Sequence, residues 1–97
     1  MTNLTYTANT LCAAEKAAGK PFIAMIAEME SDEGVSLTTL RALVAAGRAG
    51  DLYGSMPLIF LDEMSAGKLI DDHGTEACAE AVGKALRAYF ERSVANG

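Results

Sequence analysis

The chain has 97 residues, of which 51% are hydrophobic and 22% charged, and its formal net charge is −5. That length suits one domain over residues 1–97, and the apolar content is too high for a disordered chain. Eight Lys and Arg are scattered among thirteen acids, so the basic face of a nucleic-acid module is missing, and no apolar run approaches the ~20 residues needed to span a bilayer.

Aromatic residues make up 6% with no Trp, so Ala, Leu, Ile, Val and Met must fill the core. In chain order, Leu4 to Thr7 alternates apolar and polar, which fits an edge strand or an extended lead-in. Thr7 can cap a helix that runs to about Ala18 and stops at Gly19, with Leu11, Ala14 and Ala18 on one face. Pro21 suits the first turn of a second helix, whose Phe22, Met25, Ile26 and Met29 recur at i, i+3, i+4, i+7. That helix runs out in the polar turn Glu30 to Gly34.

Ser36 caps a third helix with Leu37, Leu40, Leu43, Val44 and Gly47 on its buried face and Ala42, Ala45 and Ala46 beside it. A stripe that wide predicts a central helix with neighbours on more than one side, and Gly47 and Gly50 bracket its expected stop. Residues 50–60 then read as irregular. Asp62 can cap a fourth helix through Asp72, with the stripe Leu61, Met64, Ala66, Leu69 and Ile70, stopped by His73 and Gly74. Thr75 opens the last and longest helix, to about Val94, with Cys78, Val82, Ala85, Leu86 and Tyr89 at helical spacing. The expected fold is all-α, a compact bundle of about five helices, with residues 4–7 as the one candidate for a short N-terminal strand.

Nothing in the sequence forms a catalytic constellation, so no enzyme activity and no small-molecule substrate are expected. Asp71 and Asp72 point about 100° apart on a helix, and His73 reads as helix-terminal polarity. Glu28, Glu30, Asp32 and Glu33 lack the alternating oxygens, central Gly and distal Glu of a calcium loop and read as a solvated turn. Cys12 and Cys78 form no CxxC and read as reduced, partly buried thiols, so neither metal nor cofactor is expected. The N-terminus MTNLTYT lacks a basic region followed by an apolar one, which makes cytoplasm the expected compartment.

The methionines carry the one binding signal. Met25, Met29, Met56 and Met64 fall on or near apolar faces; Met is an ordinary core filler and also serves adaptable binding surfaces. Met56 lies with Leu58, Ile59 and Phe60 in a stretch broken by Gly54 and Pro57. Such a loop either folds back as a core plug or offers an apolar patch to a partner. The candidate contact residues are Met56, Leu58, Ile59 and Phe60, followed by Met25 and Met29.

Three segments carry a family resemblance. The first has Tyr6, Asn9, Leu11, Glu15 and Gly19; the second has Ser36, then Leu40-Arg41-Ala42-Leu43-Val44 and Ala46-Gly47; the third has Ala66-Gly67, Leu69-Ile70-Asp71 and Gly74. In that order, followed by an Ala-rich final helix, they resemble the small tail assembly chaperones of tailed phages, in the version carried by gene transfer agent and siphophage tail clusters. The resemblance covers about residues 4–90; family members often have Trp where this chain has Ala45. It implies a non-enzymatic factor that binds the tape measure protein and helps recruit tail tube subunits during tail polymerisation. It further implies action in the cytoplasm of the bacterial host cell and absence from the mature particle. Self-association is compatible with the same features. The competing reading is a small acidic helical adaptor or regulator that binds another protein. A helix-turn-helix using Arg41 and Arg48 against phosphate is opposed by the acidic balance.

Overall fold

The computed structural model describes residues 3–54 and 61–96, with side chains through Ser93. Five helices follow in chain order: α1 (Ala8–Ala18), α2 (Phe22–Glu30), α3 (Leu37–Tyr53), α4 (Glu63–His73) and α5 (Thr75–Asn96). The described residues contain no strand, so the fold is an all-α bundle. Met56, Leu58, Ile59 and Phe60 lie outside the described residues.

The helix starts follow from capping chemistry. The Thr10 N–H donates to Thr7 Oγ1 at 3.2 Å and the Thr7 N–H donates back to Thr10 Oγ1 at 2.9 Å. A threonine thus takes the position usually held by Glu in a reciprocal capping box. Ser36 Oγ accepts from the Thr39 N–H, and Asp62 Oδ1 accepts from the Ser65 N–H. Pro21 stands one residue earlier than the sequence suggests, as the N-cap of α2 rather than in its first turn. It has no side-chain acceptor to offer, and Glu15 supplies one from α1: its Oε2 accepts from the Phe22 N–H at 2.6 Å.

Helix α3 is the hub, packed against α1, α4 and α5, and α4 and α5 also pack on each other. Its Leu40, Leu43, Val44 and Ala46 are fully buried, which the wide stripe predicts. It does not stop at Gly47 or Gly50. It continues to Tyr53 and ends at Gly54, so residues 50–53 are helical rather than irregular. Those two glycines serve close packing instead. A Cβ at Gly50 would stand 1.9 Å from the Thr5 carbonyl oxygen, and one at Gly47 would stand 2.9 Å from Leu4 Cβ.

The segment crossing there is the N-terminal lead-in. It is extended but pairs with a helix instead of a strand. The Thr5 N–H donates to the Gly47 carbonyl at 3.0 Å, and the buried Tyr6 hydroxyl donates to the Leu43 carbonyl. Arg92 Nη2 of α5 donates to the Tyr6 carbonyl at 2.7 Å and clamps the segment from the other side. Burial raises the Tyr6 phenol well above its ordinary value, which keeps it a neutral donor.

Two apolar positions depart from the expected stripes. Leu37 is 63% exposed and Met64 is 83% exposed, because each lies in the first turn of its helix, beyond the reach of the core. Phe90 is 45% exposed. Cys12 is exposed where partial burial was expected, Cys78 is buried with its Sγ donating to the Leu69 carbonyl at 3.8 Å, and neither is in a disulfide.

Candidate partner-binding groove

Helix α2 is the one helix that the hub does not hold closely; its main helix contact is α1. Met25 anchors it in the core at 0% exposure, and Phe22, Ile26 and Met29 pack partly against the same core. At one end the Phe22 and Phe90 rings meet at a centroid distance of 5.8 Å, tilted by 58°. Residues of α2 and α5 line an apolar groove of about 740 Å³ beside that contact.

Ile26 and Met29 form the α2 wall, and Ala79, Gly83, Leu86 and Phe90 form the floor and the α5 wall. Glu30, Arg87 and Glu91 stand at the rim. A groove of this size and lining falls in the range of sites that seat a ligand or a partner's side chains. Its rim carries two acids and one base, in keeping with the acidic chain.

Polar fastenings at both ends hold the α2 wall. At its start stands the Glu15 contact to Phe22. Near its other end, Glu28 gathers three donors: Lys20 Nζ at 2.6 Å, the Ser36 N–H at 3.0 Å and Thr39 Oγ1 at 3.0 Å. The Lys20 ammonium above all, then the Ser36 N–H, lowers the Glu28 carboxyl from 4.5 to about 2. Glu28 is therefore not part of a solvated turn. It ties the α1–α2 connection, α2 and the start of α3 together, while Glu30, Asp32 and Glu33 are exposed.

Of the residues singled out from sequence, Met29 lines this groove and Met25 supports it from inside the core. The groove's α5 half was not singled out at all. Its one sequence signal is Gly83, a poor helix former inside an Ala-rich helix.

A second apolar hollow of about 570 Å³ lies between α3 and α4, bordered by Leu37, Met64, Gly67 and Ile70 with Arg41, Glu63, Lys68 and Asp71. Arg41 faces Glu63 here at 3.7 Å, and Arg48, outside this hollow, faces Asp62 at 3.6 Å. Asp71, Asp72 and His73 are all exposed. Among the described residues no group of three or more His, Cys, Asp or Glu is placed to hold a metal ion, and no helix is long and apolar enough to cross a membrane. Comparison of the chain with protein-family models, with curated proteins and with solved structures returns no match.

Proposed function

We propose that the protein is a non-enzymatic tail assembly chaperone. In this reading it covers apolar helical segments of a tape measure protein and helps recruit tail tube subunits as the tail polymerises. The observation that carries it is the open apolar groove between α2 and α5, in a chain whose order of helical elements resembles that family. A tape measure exposes long apolar helical faces before a tube encloses them. A groove walled by Ile26, Met29, Leu86 and Phe90 offers such a face the anchor points of helix-in-groove recognition. Each copy must also leave as the tube closes, so affinity per copy is modest and many copies act along one rod. Action in the host cytoplasm and absence from the finished particle belong to the same proposal.

The test is co-expression with the tape measure protein encoded nearest by, followed by size-exclusion chromatography with light scattering. The expected result is co-elution, with the partner soluble only in company and lost from the complex on Met29→Glu. A partner that stays insoluble while this protein elutes alone removes the chaperone reading, and the small acidic adaptor takes its place.

A further inference from the structure

We infer that the α2–α5 groove seats an amphipathic helix whose backbone descends onto Gly83 and whose apolar stripe is flanked by basic residues. The inference rests on the groove being the partner site proposed above, and deepens it by naming the contact that decides what fits.

Glycine inside a helix weakens it relative to alanine, so an interior glycine calls for a reason. Two interior glycines of α3 have theirs within the chain, since Gly47 and Gly50 make room for the lead-in. Gly83 has none. A Cβ built there meets no atom within 4 Å, and the position lies on the floor of the groove facing open space. The missing side chain therefore leaves room that the free protein does not use. Helices pack at axial separations of about 8–10 Å, and the small end of that range requires small residues at the contact. A helix entering between Ile26 and Met29 on one side and Leu86 and Phe90 on the other would make that close contact at Gly83. At the rim Glu30 and Glu91 outnumber Arg87, and on a chain of net charge −5 this balance favours lysine or arginine beside the incoming stripe.

The experiment uses the full chain and a synthetic amphipathic helix of about 18 residues, roughly 27 Å long. The peptide has Leu and Ala at i, i+3, i+4, i+7 and lysines alongside, and binding is followed by amide chemical shifts. The expected result is that shifts cluster at Ile26, Met29, Ala79, Gly83 and Phe90. Gly83→Ala then raises Tm by about 4–8 °C, as a helix-interior Gly→Ala change does in a domain of this size, and weakens the peptide at least ~10-fold, the effect of about 1.4 kcal/mol. Gly67→Ala, on α4 and away from the groove, leaves affinity unchanged. Unaltered affinity in Gly83→Ala overturns the inference, and so does a fall in Tm, which would mean that the chain itself needs the glycine. Shifts that avoid the groove overturn it as well. If the peptide binds as expected but the tape measure protein does not co-elute, the seat stands and only the identity of the partner falls.

Discussion

The closest approach in the fold makes Gly50→Ala the sharpest test of its packing. The added Cβ would stand 1.9 Å from the Thr5 carbonyl oxygen and 2.9 Å from the Thr5 carbonyl carbon, both backbone atoms that no rotamer change can move. The lead-in must therefore lift from α3. Lifting forfeits the burial of Tyr6, worth roughly 2–3 kcal/mol, and three hydrogen bonds (Thr5 to Gly47, Tyr6 to Leu43, Arg92 to Tyr6) at about 1 kcal/mol each. Against this, two or three freed residues regain roughly 3 kcal/mol of backbone entropy, and alanine improves the helix by about 1 kcal/mol. The net loss is about 1–2 kcal/mol, or a fall in Tm of roughly 4–16 °C for a domain of this length. Thermal and urea unfolding read it directly. The mechanism has its own signature: Tyr6→Ala, costly alone, should cost less than about 1 kcal/mol in the Gly50→Ala background, because the lead-in is already off. Additive losses, or a Gly50→Ala variant as stable as the parent, would refute the account.

Glu28→Gln should cost about 1–2 kcal/mol at neutral pH; the full displacement of its carboxyl from 4.5 to about 2 would mean roughly 3 kcal/mol, but 24% of the side chain is exposed and water screens the pair. A lowered carboxyl contributes its stability above pH 4.5 and loses it as pH falls towards 2, so urea midpoints of parent and variant should converge across that window. Glu15→Ala removes the acceptor of the first α2 N–H and should cost about 1 kcal/mol; hydrogen exchange should quicken in α2 and not in α3 or α4.

Helix starts were legible because capping is local. Thr7, Ser36 and Asp62 each declare a helix within three residues, and each makes the bond its type predicts. The end of α3 was not legible, because Gly47 and Gly50 have two uses that one sequence does not separate. A glycine that stops a helix does so by its own backbone angles. A glycine that continues one while admitting a neighbour does so because of a segment forty residues away, and here that segment is Leu4 to Tyr6. The same distance left the lead-in undecided between an edge strand and an extended segment; it is the latter, and the Thr5 N–H donates to a helix carbonyl, that of Gly47.

The candidate site was half legible for a related reason. Periodicity places Phe22, Met25, Ile26 and Met29 on one face of α2 and treats them alike. The structure divides them by where α5 stands: Met25 reaches the core, while Ile26 and Met29 face a gap that α5 does not close. A groove is a property of how two helices stand to each other, so no single helix announces it. What a single helix does show is a residue its own fold does not require. In α5 that residue is Gly83, whose neighbours Val82 and Leu86 are buried and whose own space is empty. The space around Gly47 and Gly50 is taken by the lead-in that holds the chain together, whereas the space at Gly83 is left empty by the free protein.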